Sequence, residues 1–143
     1  MSASDPQPAS ILNPSTRLER LFPTLTSAQI ARVAARGRRR PVTRDEILVE
    51  VGDKDVPFFL VISGEVQALR PSGDAETLIV THGPGQFSGE AVMITGRRAI
   101  GRLRVNAPGE VVELSRQQLL AVIQTDAELS EILMRAFMLR RLE

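Results

Sequence analysis

Gly83-Pro84-Gly85-Gln86-Phe87-Ser88-Gly89-Glu90-Ala91-Val92-Met93-Ile94-Thr95-Gly96-Arg97-Arg98-Ala99 is the stretch whose residue types suit a phosphate ligand. A glycine-rich loop feeds a short helix expected over about Gly89 to Thr95. The first amides of a helix have no intrahelical acceptor, and its N-terminus carries partial positive charge. An anion fits there. Gly89 has no side chain, so the backbone can approach a phosphate closely, and the amides of Gly89, Glu90 and Ala91 are the expected donors. Arg97 and Arg98 each offer a planar fork that matches phosphate oxygens two at a time. Glu90 adds nothing to phosphate binding. It suits a ligand that also carries a hydroxyl donor, as a ribose does. Taken singly, the glycines read as turn residues, Glu90 as a charge that favours the helix dipole, and the arginines as solvated surface.

The composition removes other chemistries. There is no cysteine, which excludes disulfides and thiolate metal sites, and the single histidine, His82, excludes a histidine-rich metal centre of the cupin kind. No nucleophile–base pair stands out, so no enzyme activity is expected. Eighteen basic and seventeen acidic groups leave a formal charge of +1, which gives no bulk reason to expect nucleic acid. Arg38-Arg39-Arg40 reads as a solvated face, and His82 as a surface loop residue. No signal pattern opens the chain, and no apolar run approaches the roughly 20 residues that cross a bilayer. A cytoplasmic protein is the expectation. The 143 residues suit one domain with a proper core.

The elements that must position the stretch follow from periodicity. Residues 1–14, with Pro6, Pro8 and Pro14, read as a disordered tail. Arg17 to Phe22 suits a short helix closed by Pro23. Thr26 and Gln29 form a capping box, with Leu25 and Ile30 as a hydrophobic staple and Gly37 as the stop. From Arg38 to Leu114 short strands dominate. Ile47, Val49 and Val51 alternate; Phe58 to Ile62 is an apolar run; Glu65 to Leu69 and Glu76 to Val80 flank a turn at Pro71-Ser72-Gly73-Asp74. Ala99 to Val105 and Val111 to Leu114 follow, separated by Asn106-Ala107-Pro108-Gly109. Regularly spaced short strands indicate an all-β barrel, sandwich or roll. Ser115 and Gln118 cap a helix to Ile123, and Thr125 and Glu128 a helix to the end. Its face of Leu129, Ile132, Leu133, Ala136 and Phe137 is flanked by Met134, Met138 and Leu142. That surface is wider than one core-facing stripe. It reads as a helix that continues past Glu143, or that pairs with another chain.

The glycine-rich stretch resembles the phosphate-binding cassette of the cyclic nucleotide-binding domain family, Gly-x-x-x-Gly-Glu, a short apolar helix, then Arg-Ala or Arg-Ser/Thr. Gly85, Gly89, Glu90, Arg98 and Ala99 fill the pattern. Val51-Gly52-Asp53 resembles the turn before the family's third strand. Phe58-Phe59-Leu60-Val61-Ile62-Ser63-Gly64-Glu65-Val66 resembles its aromatic–aliphatic strand, Ser-Gly turn and return strand. The resemblance covers about residues 17 to 140. It implies an α+β, mainly β fold: a jelly-roll-like β-roll of the eight-stranded type, flanked by N-terminal helices and two C-terminal helices. The segments are then a tail over 1–14, a helical segment over 15–37, the roll over 38–114 with its cassette at 83–99, and lid and interface helices over 115–143.

The resemblance also implies roles. Arg98 becomes the main phosphate partner, preferred over its rival Arg97 because Ala99 follows it. Glu90 accepts from the ribose 2′-hydroxyl. The base is expected against Val80, Phe87 and Val92, covered by Leu133 or Phe137. In the family a Ser or Thr after the arginine accompanies cGMP preference; Ala99 cannot bond guanine, so cAMP is favoured. Three positions depart from the pattern: Ser88 where an aromatic is usual, Gly96 where a proline or polar residue often lies, and Asp45 in place of a loop glycine.

The expected function is a regulatory sensor that binds a cyclic nucleotide and passes its state through the C-terminal helix to an attached or partner domain. No cofactor is implied beyond that ligand. The alternative is a ligand-free dimerisation or interaction module. Catabolite activators resemble the chain up to the long helix, then require a helix-turn-helix domain; without one, no nucleic acid binding is expected. Residues Gly101 to Arg141 also resemble bacterial sensor domains that precede thioredoxin-reductase-like flavoproteins.

Overall fold

A computed structural model of the chain describes residues 19–89 and 96–141. The tail expected over 1–14 and the body of the cassette helix lie outside those residues. Residues 19–21 are helical and end at Phe22-Pro23. Helix α1 (Ser27–Ala34) opens on the capping box read from the sequence: the Thr26 hydroxyl accepts from the Gln29 amide, and the Gln29 side chain accepts from the Thr26 amide. Among the described residues six strands follow: β1 (Arg38–Val42), β2 (Ile47–Val49), β3 (Phe58–Ser72), β4 (Ala75–His82), β5 (Phe87–Ser88) and β6 (Arg102–Leu114). Helices α2 (Arg116–Thr125) and α3 (Ala127–Arg141) close the described chain. All strand pairings are antiparallel, in the order β1-β6-β3-β4, with β2 also on β6 and β5 on β3. This is a mainly β roll with flanking helices.

The apolar run of β3 lacks alternation because both of its faces are covered. Phe58 and Leu60 join Phe87, Val112 and Leu114 in a core closed by α1, α2 and α3. Phe59 and Val61 point the other way, into the roll interior with Val49, Ala99, Leu103, Val105 and Val111. The expected apolar face of α3 supplies Leu129, Leu133, Ala136 and Phe137 to the first core, with Ile132 packed against it.

The structure redraws several expected boundaries. Phe58–Ile62 and Glu65–Leu69 belong to one strand, as do the segments on either side of Asn106–Gly109. The reason lies in two glycines set against each other. A Cβ on Gly64 would sit 2.5 Å from the Ala107 carbonyl oxygen, and one on Gly109 would strike the Ser63 carbonyl oxygen. Both strands therefore bend together with their register shifting, and pairing resumes beyond the bend. The alternation of Ile47, Val49 and Val51 does not set burial: Val49 is buried, whereas Ile47 and Val51 are exposed. Pairing with β6 shifts between Ile47 and Val49, and the strand ends there. The cap of α3 is Asp126, whose Oδ1 accepts from the Leu129 amide at 3.0 Å. Thr125 instead finishes α2, its hydroxyl donating to the Ala121 carbonyl.

Candidate functional site

Two motifs far apart in sequence meet at one point. The Gly52 amide donates to the Ala99 carbonyl at 2.7 Å, and the Ala99 amide donates to the Asp53 carbonyl at 3.0 Å. The turn 50–53 is closed on itself: the Asp53 amide donates to the Glu50 carbonyl, and Asp53 Oδ2 accepts from the Glu50 amide. Gly52 sits at φ 91°, a conformation that glycine adopts at no steric cost. Ala99 is buried in the roll interior. Arg98 beside it is exposed, and its Nη1 donates to the Gly52 carbonyl at 2.9 Å. Arginine carries five N–H donors in a planar fork, of which this bond uses one. Arg97 is also exposed.

The Gly52 turn has its own support, which sequence reading did not single out. Glu50 accepts from Arg102 Nε at 2.9 Å, and Arg102 also pairs with Glu76, which in turn accepts from Arg104 at 3.0 Å. These bonds hold the Glu50 and Glu76 carboxyls below the usual carboxylate range, Glu50 through Arg102 and Glu76 chiefly through Arg104. The alternating charges at 102 and 104, on one face of a strand, were the available signal.

The loop that leads to the cassette is pinned on both sides. Gly85 donates to the Val61 carbonyl at 2.8 Å and accepts from the Leu25 amide at 2.9 Å. Its φ of 86° and a would-be Cβ 2.9 Å from the Leu25 carbonyl oxygen leave room for glycine alone. Gln86 closes the turn by accepting from the Gly83 amide at 2.8 Å. Gly89 has φ 100°, and a Cβ there would strike the Pro57 carbonyl oxygen. Of the other expected ligand residues, Glu90, Ala91 and Val92 lie outside the described residues.

The residues expected around a base fall in two places. Phe87, Leu133 and Phe137 are packed together in the helix-side core, Phe87 stacked on Phe58 with ring centroids 5.5 Å apart. Ala99 lies on the opposite side of the sheet, in the roll interior. Val80 is half-buried and paired with Ala68, which packs against that interior.

His82 is not a surface loop residue. It is the last residue of β4 and 2 % exposed, its ring 5.8 Å from that of Phe22. Among the described residues its Nδ1 has no hydrogen-bond partner, and burial, aided by the nearby Arg140 charge, pushes its pKa down to about 3. The arginines of β1 are paired, Arg38 with Glu113, Arg39 with Glu110 and Arg40 with Glu46, while Arg38 and Arg39 stay exposed to solvent. Among the described residues, no helix is long and apolar enough to cross a membrane.

Comparisons with known proteins bear on the family and the fold. The family model for the cyclic nucleotide-binding domain matches residues 39–126, from β1 through the end of α2. Among solved structures, the catabolite activator protein of Thermus thermophilus superposes with a TM-score of 0.70 at 26 % identity, over 86 % of this chain and 58 % of that one. A structure from work on a cyclic-GMP-dependent signalling pathway in bacterial phytopathogenesis gives 0.69 at 23 % identity, covering 80 % of this chain and 93 % of that one. The N-terminal domain of a transcriptional regulator from Streptomyces coelicolor A3(2) gives 0.63 at 23 % identity, covering 91 % and 93 %. At those two identities the likeness is one of fold. This chain thus spans little more than half the length of the Thermus protein, and no curated protein matches it. With its model matched over residues 39–126, a span that holds the cassette loop and the joined Gly52 turn and Arg98-Ala99, the chain belongs to the cyclic nucleotide-binding domain family.

Proposed function

We propose that this chain is a regulatory sensor domain that binds a cyclic nucleotide monophosphate, cAMP in preference to cGMP. The observation that carries the reading is the exposed Arg98 guanidinium, anchored to the Gly52 carbonyl beside the buried Ala99. It stands where the family's pattern puts the phosphate partner. In this reading Gly89, Glu90 and Ala91 meet the phosphate and ribose, with Glu90 accepting from the 2′-hydroxyl. Ala99 offers no hydroxyl to guanine, which favours adenine. Val80 and Val92 are the proposed neighbours of the base. Phe87, Leu133 and Phe137 act through the packing beneath the cassette. The bound state passes along α3 to an attached or partner domain, one candidate being a thioredoxin-reductase-like flavoprotein. Family relatives of this fold occur in such larger chains: an EAL enzyme, Bd1971, solved in cAMP-bound form matches over 28 % of its own length. The role is regulatory, with no catalysis of its own.

Titration calorimetry with cAMP and cGMP tests the proposal. The wild-type chain binds cAMP more tightly, and Arg98→Ala weakens binding by roughly tenfold to a hundredfold, the usual worth of hydrogen bonds to a charged group. Absence of heat at millimolar nucleotide, or an unchanged affinity in Arg98→Ala, overturns it. A second reading, a ligand-free interaction module, is favoured by Met134 and Met138, 38 % and 63 % exposed on α3. It predicts a stable dimer by light scattering and a melting temperature indifferent to either nucleotide.

A further inference from the structure

One residue of α3 ties three separate segments together. The Arg140 guanidinium lies 4.8 Å from the ring centroids of both Phe22 and Phe87. Its Nε donates to the Leu21 carbonyl at 2.7 Å and its Nη1 to the Phe87 carbonyl at 3.3 Å. Phe87 stands in β5, inside the cassette stretch 83–99 and two residues ahead of Gly89. The same loop is tied to the N-terminal segment from its own side. Gln86 Nε2 donates to the Phe22 carbonyl at 3.2 Å, and the Leu25 amide to the Gly85 carbonyl.

This arrangement asks more of Arg140 than packing does. An aliphatic stem would fill the space over an aromatic ring. Here a flat cation fits between two rings while its fork reaches carbonyls on two different segments. A lysine ammonium has no planar face and cannot serve both at once. The cation–π attraction and the charged hydrogen bonds act on the same group, so they are lost together. Burial lowers the Arg140 pKa to about 10, which leaves it charged at neutral pH.

We infer that Arg140 is a positioning residue that clamps the base of the cassette to the end of α3, so that the two move as one. The inference rests on the cassette being the ligand site in what it says about signalling. The clamp itself is made of contacts within the chain. When the cassette shifts on ligand binding, the Phe87 carbonyl carries the last turn of α3 with it. Reciprocally, a partner that holds α3 alters the affinity of the cassette by the same factor.

Amide hydrogen exchange of the whole chain, wild type against Arg140→Gln and Arg140→Lys, tests this without ligand. Exchange at Gly85, Phe87, Ser88 and Gly89 is expected to rise roughly tenfold in both variants while α2 and β1 keep their protection. A uniform rise, or none, makes Arg140 a packing residue and overturns the clamp. Should Arg140→Gln fail to fold, the lysine variant, which keeps charge and stem, decides in the same way. A second arm adds saturating cAMP and follows the amides of 137–141, which are slowed in wild type and unmoved in the variants. Equal slowing in both overturns the coupling. A wild-type chain that takes up neither cAMP nor cGMP sinks the ligand reading instead, and the ligand-free exchange still decides the clamp.

Discussion

At the scale of single residues, the site depends on backbone shapes that side chains would forbid. Gly89 is the sharpest case. Its φ of 100° lies in the region that L-residues avoid, and the space a Cβ would occupy belongs to the Pro57 carbonyl oxygen just before β3. The obstacle is backbone, so no rotamer change relieves it. Gly89→Ala is expected to cost about 2–4 kcal/mol in urea unfolding, strain and clash together, and to abolish nucleotide heat in calorimetry. An alanine variant within about 0.5 kcal/mol of wild type would mean that the loop gives way easily, and that glycine is there for another reason. Asp45 shows the opposite solution. It replaces a family glycine, yet holds φ 67°, a conformation that a short polar side chain tolerates. The departure noticed in the sequence thus sits in a left-handed backbone that glycine also adopts.

At the scale of elements, what was legible was local. The capping boxes at Thr26 and Ser115 are i, i+3 patterns, and both form as read, because helix starts are decided by neighbouring residues. The apolar face of α3 is likewise a matter of spacing. The cap of α3 was misplaced by one residue because Thr125 and Asp126 both suit the position; the carboxylate took it, and bonds Arg32 of α1 at 2.7 Å besides. The strands were harder. Ser63-Gly64 and Pro108-Gly109 look like ends in a single chain, and only their juxtaposition turns two stops into one shared bend. That yields a test. A Cβ on Gly109 would strike the Ser63 carbonyl oxygen and lie 2.7 Å from the Gly64 nitrogen, so Gly109→Ala should destabilise by about 2–4 kcal/mol. Gly73 at the β3–β4 hairpin has nothing within 4 Å of its would-be Cβ. Gly73→Ala should therefore cost about 1 kcal/mol, the left-handed backbone alone. Equal losses in the two variants by denaturant unfolding would refute the paired bend.

At the scale of the whole molecule, the meeting of Gly52 with Ala99 and the burial of His82 share a cause that no local pattern could show. Arg98 and Gly52 are 46 residues apart, and His82 is enclosed by Phe22 from one end of the chain and Arg140 from the other. His82 precedes Gly83-Pro84, which reads as a loop until both chain ends are laid over it. Its burial makes stability depend on pH in a defined direction. The folded-state pKa is lowered from 6.5 to about 3, so between those values the unfolded chain binds the extra proton and the folded chain does not. The neutral ring's contribution is therefore fully present above about pH 6.5 and is lost as pH falls toward 3. By pH 4 the loss is on the order of 3 kcal/mol. Glu50, Glu76, Asp126 and Glu128, each lowered by arginine hydrogen bonds, weaken the fold in the same sense as they protonate, so wild type alone cannot isolate the histidine. His82→Phe can, since it keeps a ring against Phe22 and removes the titration. Urea unfolding of both chains from pH 7 to pH 4 should show wild type losing about 3 kcal/mol more than the variant. Parallel curves would place the His82 ring within reach of water, and with it the packing of Phe22 and Arg140 over the end of β4.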